Sequence, residues 1–135
     1  MIGRVLALDY GTMRIGAAIS DPLGITASPL EVIAAAGAIE RIKALVAEYQ
    51  PTVVVVGLPV SLSGDENAAA VAARAFGQSV QDATGVDVRF VDERFTSQTA
   101  EEALLEGGLK RRSRREKIDK VAAAVILRHY LDSNL

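Results

Sequence analysis

The chain has 135 residues, half of them hydrophobic and 24% charged, with a formal net charge of −2. One compact domain typically takes roughly 100 to 200 residues and at that size needs no disulfide staples, so a single domain spanning 1–135 is expected. With no cysteine and only one histidine, His129, thiolate zinc sites, iron–sulfur clusters, cysteine nucleophiles and multi-histidine sites are excluded. If a metal is used, the abundant ligands are Asp and Glu carboxylates, hard oxygen donors that suit Mg2+ or Mn2+.

The elements follow in chain order. Arg4 to Asp9 is a short apolar run closed by the turn signal Tyr10-Gly11-Thr12, and Arg14 to Ser20 follows so closely that a hairpin is expected. After Asp21-Pro22-Leu23-Gly24, Ile25 to Val32 reads as a third strand that completes an antiparallel meander. Ile39, Ile42, Leu45, Val46 and Tyr49 recur at helical spacing over Ala38 to Gln50, and Pro51 stops that helix. Val53 to Val56 has no polar alternation, as a strand covered on both faces should, and Gly57-Leu58-Pro59 is expected to end it. Glu66 to Asp82 reads as an alanine-rich helix, Val86 to Val91 as a fifth strand and Ser97 to Glu106 as another helix ended by Gly107-Gly108. The capping box Ser113-Arg-Arg-Glu116 announces a last helix through Tyr130. The expected fold class is α/β, with a mixed five-stranded sheet of three antiparallel strands and parallel crossovers, and helices on both faces.

In such sheets ligands collect at the carboxyl ends of strands. Asp9 ends the first strand, Asp92 and Glu93 end the fifth, and Asp119 lies in the last helix beside Ile118, Ala122 and Ala123. Each has a plain structural reading: an Asx turn for Asp9, a solvated loop or pairing with Arg94 for Asp92 and Glu93. Together, converging carboxylates stay ionised only beside a cation. Two divalent ions about 3.5–4 Å apart would activate water and stabilise the leaving oxygen of a phosphodiester.

The segments Leu8-Asp9-Tyr10-Gly11-Thr12-Met13-Arg14-Ile15-Gly16, Val56-Gly57-Leu58-Pro59, Val91-Asp92-Glu93-Arg94 and Lys117-Ile118-Asp119-Lys120-Val121-Ala122-Ala123 resemble the YqgF-type family of pre-16S ribosomal RNA nucleases and Holliday-junction resolvase-like proteins. The resemblance implies a ribonuclease H-like fold and metal-dependent cleavage of a nucleic-acid phosphodiester. It implies Asp9, an acid of the Asp92-Glu93 pair and Asp119 as catalytic metal ligands. Glu93 is the choice within the pair because its longer side chain reaches further, with Asp92 as a further candidate or as the group that orients the ligand. Related resolvases have an acid at the end of the fourth strand, where this chain has Gly57-Leu58-Pro59.

From Lys110 to Lys117 six basic residues and one acid make a block of +5, against −7 for the remainder. The block is either a solvated loop with the first turn of a helix or a polyanion contact. Lys110, Arg111, Arg112, Arg114, Arg115 and Lys117 are therefore candidate nucleic-acid contacts, and Arg14 and Arg94 are candidates for steadying the scissile phosphate. Tyr10 has no surrounding stacking platform in a chain with 4% aromatics. The expected partner is structured RNA, with pre-16S rRNA favoured and branched DNA as the other substrate, the protein acting as monomer or homodimer. No apolar run approaches the ~18 residues of a membrane span, and Asp9 comes too early for a secretory signal, so a cytoplasmic location without membrane contact is expected. Two rivals stand beside the nuclease. One is a non-catalytic factor that binds structured RNA or DNA in ribosome biogenesis or transcription. The other is an ATP-binding relative of the actin and sugar-kinase superfamily, which closes two such domains around its nucleotide.

Overall fold

A computed structural model describes residues 3–59, 67–92 and 111–133, with the side chains of the last segment described from Lys120 onward. The elements are β1 (Val5–Tyr10), β2 (Arg14–Ser20), β3 (Ala27–Ala34), α1 (Ala38–Tyr49), β4 (Val53–Leu58), α2 (Ala68–Thr84), β5 (Asp87–Asp92) and α3 (Arg111–Ser133). They form one five-stranded sheet in the order β3-β2-β1-β4-β5. β2 is antiparallel to both β1 and β3, whereas β4 runs parallel to β1 and β5. The mixed sheet expected from the sequence is therefore the one observed.

Side chains alternate across the sheet and divide it into two cores. On one face Leu6, Leu8, Ile15, Ile19, Val54, Val56 and Leu58 pack under α1 and α2, against Ile42, Leu45, Phe76 and Val80. On the other, Val5, Ala7, Ala18, Val53, Val55 and Val91 pack under α3, against Ala123, Ile126, Leu127 and Leu131. We call these the α1–α2 face and the α3 face.

Several boundaries differ from the sequence reading, each for a local reason. β3 starts at Ala27 instead of Ile25, because the Asp21 carboxylate accepts the backbone N–H groups of Ile25 (2.6 Å) and Thr26 (3.1 Å) and holds them in the turn. It runs on to Ala34, and the Ala35 N–H bonds the Met13 carbonyl at 3.0 Å. β4 does not end at Val56: Gly57 and Leu58 remain in the ladder, paired with Val91 and Asp92. α2 starts at Ala68 behind an Asn67 cap whose side chain accepts the Ala70 N–H at 3.0 Å, and Gly85 closes it at φ 73°. α3 is already helical at Arg111, ahead of the expected cap Ser113, so most of the basic block is helical and not loop. Arginine and lysine are good helix formers, which accounts for the extension. The expected helix over 97–106 lies outside the described residues.

The direction of α3 follows from two contacts on β3. Lys120 lies in a depression with Val32 and Ala34 at the carboxyl end of β3. Arg128, two turns later, donates to the Ile25 carbonyl just before β3 begins, at 2.6 Å. α3 is thus antiparallel to β3, and β3 is parallel to β1 through their shared neighbour β2. The early turns of α3 therefore lie at the carboxyl end of β1.

Candidate metal and nucleic-acid site

Asp9 is the penultimate residue of β1 and is half-buried. Alternation from Val5 and Ala7 puts it on the α3 face, while Tyr10 turns to the α1–α2 face and stacks on Phe76 with ring centroids 4.6 Å apart. Tyr10 is thus committed to an internal aromatic contact.

The residues level with Asp9 matter more than those next to it in sequence. Across β2 its partner is Gly16. Across β4 the register pairs Leu8 with Val56, so the next position up sets Asp9 beside Gly57. Both strand positions level with Asp9 are therefore glycines. Glycine inside a strand costs stability, and it commonly marks a place where a ligand or another backbone approaches closely.

Gly11 has a simpler explanation. A Cβ there would sit 2.6 Å from the Arg14 carbonyl oxygen, so the hairpin turn itself demands glycine.

α3 completes this end of the sheet. Ala122, Ala123 and Ile126 are buried, and position 119 precedes them by three, four and seven residues, the spacings that share one stripe of a helix. The backbone at 119 lies two turns into α3, at the carboxyl end of β1.

Not every candidate converges. Asp92 is exposed and level with Leu58, whose side chain belongs to the α1–α2 face. It lines a shallow depression of about 320 Å³ at the outer edge of β5 with Arg89, His129 and Tyr130. Asp92 shares the carboxyl edge with Asp9 but lies two strands away, about 10 Å at ~4.8 Å per strand. Glu93, Arg94 and Lys110 lie outside the described residues, as do the side chains of Arg111, Arg112, Arg114, Arg115, Lys117 and Asp119. Among the described residues there is no group of three or more acids or histidines that could hold a metal. His129 is exposed near the end of α3.

Arg14 is half-buried at the start of β2, level with Ala34 of β3. Beside it, Glu31 receives two hydrogen bonds from Arg41 of α1, at 2.6 and 2.8 Å. These bonds hold the Glu31 carboxyl below its ordinary range, against partial burial that would raise it. The charges of Arg41 and Lys120 add to the lowering. Glu31 therefore stays ionised between cations from both layers of helix. The sequence reading passed over Glu31 and Lys120, because nothing in the spacing of residues 31, 41 and 120 announces that they meet.

Comparison with known proteins places the chain in a family. Residues 3–133 match the model of the RuvX family, described as Holliday junction resolvase. A relative from Lactococcus lactis subsp. lactis named "Putative pre-16S rRNA nuclease" is 43% identical over 99% of this chain and 97% of its own length. One of the same name from Dictyoglomus thermophilum is 44% identical over 97% of this chain and 96% of its own. Among solved structures, Thermus thermophilus RuvC in complex with a Holliday junction substrate superposes with a TM-score of 0.56 at 21% identity, covering 98% of this chain and 96% of that one. This likeness carries the ribonuclease H-like fold of the sheet and helices. Matched along nearly its whole length by the family model and by relatives above 40% identity, the chain belongs to the RuvX (YqgF) family.

Proposed function

We propose that this chain is a single-domain nuclease that hydrolyses phosphodiester bonds in structured nucleic acid, with precursor 16S ribosomal RNA as substrate. The observation that carries the reading is Asp9, held half-buried at the carboxyl end of β1 between Gly16 and Gly57, under the first turns of α3. Family membership and the names of the relatives support the substrate class. A cytoplasmic location follows from that substrate, and no helix among the described residues is long and apolar enough to cross a membrane.

The donor set fits a hard divalent cation, Mg2+ or Mn2+. Asp9 would supply carboxylate oxygens between two glycine positions, and Asp119 would join it from the early turns of α3. Glu93 is the third ligand of the proposal. It follows Val91 by two residues, and Val91 packs on the α3 face. The bound ions would supply a nucleophilic water at neutral pH and charge stabilisation for the leaving oxygen. Arg14, at the mouth of the β1–β2 turn, steadies the phosphate, and Arg94 joins it. The basic residues Lys110, Arg111, Arg112, Arg114, Arg115 and Lys117 draw the polyanion towards the start of α3, where the helix dipole adds to their charge.

The test is a cleavage assay in Mg2+ and Mn2+ with a precursor 16S rRNA fragment and a four-way DNA junction side by side. The proposal expects metal-dependent cutting of the RNA, and loss by orders of magnitude in Asp9→Asn with the fold retained. Cutting of the junction alone would move the substrate to branched DNA. Tight binding without cutting of either would establish the non-catalytic binding factor instead.

A further inference from the structure

On the opposite side of α3 from Asp92, a groove of about 410 Å³ opens at the β3 edge of the sheet, lined by Met13, Arg14, Glu31, Val32, Ala34 and Lys120. Three features set it apart from an ordinary surface furrow. Its two cations come from different elements, β2 and α3, and Lys120 stands one residue beyond Asp119, directly downstream of the basic block. The one acid among its described lining residues, Glu31, is held in a two-bond pair by Arg41, so its repulsion of an incoming phosphate is offset by a cation of its own. At the tip of the β1–β2 turn, Met13 is 78% exposed, which is unusual for a large apolar side chain. A flexible thioether standing between cations suits a ligand with alternating charged and apolar surface, and a nucleic-acid strand has phosphates interleaved with sugars and bases.

We infer that the nucleic-acid strand leaves the Asp9 site over the β1–β2 turn and runs along this groove between β3 and α3, its phosphates on Arg14 and Lys120 and its sugars against Met13. The inference rests on the nuclease reading and adds a direction to it: the strand exits over the β3 edge of the sheet and not over β5. Lys120 becomes a substrate-binding residue with no role at the metal, and Met13 the apolar contact.

The absence of cysteine from the chain allows a clean test. Met13→Cys and, as a control on the outward side of α2, Val71→Cys are each labelled with a photoactivatable maleimide and irradiated with the same RNA fragment and DNA junction. Val71 is 62% exposed and lies on the helix layer of the α1–α2 face, so its label reports random collisions. The inference expects cross-linking from position 13 several-fold above that from position 71. It also expects Met13→Lys to steepen, and Met13→Glu to flatten, the dependence of log affinity on log salt, each by up to about 0.7–0.9, the contribution of one phosphate contact. Equal cross-linking from both positions with unchanged salt slopes, in protein that still cleaves, would overturn the groove and leave the nuclease reading standing. Cross-linking from position 13 in protein that binds but does not cleave would keep the groove and remove the nuclease.

Discussion

The two faces of this sheet are made by the same strands, yet they are built from different sizes of side chain. Along β1, β2 and β4 the α1–α2 face receives Leu6, Leu8, Ile15, Ile19, Val54, Val56 and Leu58. The α3 face receives Val5, Ala7, Ala18, Val53 and Val55, with Gly16 and Gly57 at the level of Asp9. Every leucine and isoleucine of these three strands is on one side. Both faces are closed off from water, so hydrophobicity alone does not account for the division. These small sheet residues are buried together with Ala123 of α3. On the proposed reading, the face of large residues serves stability, and the face of small residues lets Asp9 and Asp119 share an ion.

This contrast can be broken from either side. Leu8→Ala on the large face removes a fully buried side chain; we expect a loss of about 2–5 kcal/mol in chemical denaturation, with cleavage per folded molecule unchanged. Ala18→Leu on the small face overpacks the seat of α3. The stability cost should be smaller, about 1–3 kcal/mol, while cleavage, measured well below the melting temperature, should fall by more than the lost folded fraction explains. If Ala18→Leu lowered cleavage no further than Leu8→Ala does, the division of labour between the faces would be wrong.

Gly57→Ala sharpens the comparison, because it separates stability from activity. Alanine is the better strand residue by roughly 0.5–1 kcal/mol, which offsets the crowding of one added methyl under α3, so the melting temperature should change little. The added methyl beside Asp9 should still reduce metal affinity and cleavage, about tenfold. A variant with unchanged manganese affinity would mean that Gly57 serves packing alone.

The smallest effect concerns the sheet edge. Because Glu31 has a lowered folded value, its pair with Arg41 contributes stability above the ordinary glutamate value of 4.5 and loses it as pH falls through the lowered one. The difference in melting temperature between the protein and Glu31→Gln should therefore be constant near neutrality and vanish on acidification below pH 4.5. A difference that grew in acid would contradict the assigned sign.

Much of this architecture was legible in the chain, and the exceptions have physical causes. Arg14–Ser20 and the unbroken valines of β4 followed from local composition, since a strand covered on both sides needs no polar positions. Asp9 stood out because an acid after four apolar residues is costly without a purpose. Gly57, by contrast, read as the end of a strand. Its place beside Asp9 depends on the register between β1 and β4, which are separated by more than forty residues and are brought level only by the crossover. The same holds for Glu31 with Arg41 and Lys120. The third strand was displaced because the Asp21 side chain captured two backbone amides that composition alone assigned to the ladder. Local pattern located the elements; only pairing across the sheet shows what surrounds the carboxylate.

The proposed site puts the divalent ion on the α3 face at the carboxyl end of β1. Titration of Mn2+ into isotope-labelled protein tests it directly through paramagnetic broadening of backbone amides. The account predicts broadening centred on residues 8–11, 16, 57 and 119–122, absent near Val5 and Leu131 at the other end of the same face, and abolished throughout by Asp9→Asn. Broadening centred on Asp92 and His129 at the β5 edge, or a pattern unchanged by Asp9→Asn, would contradict it.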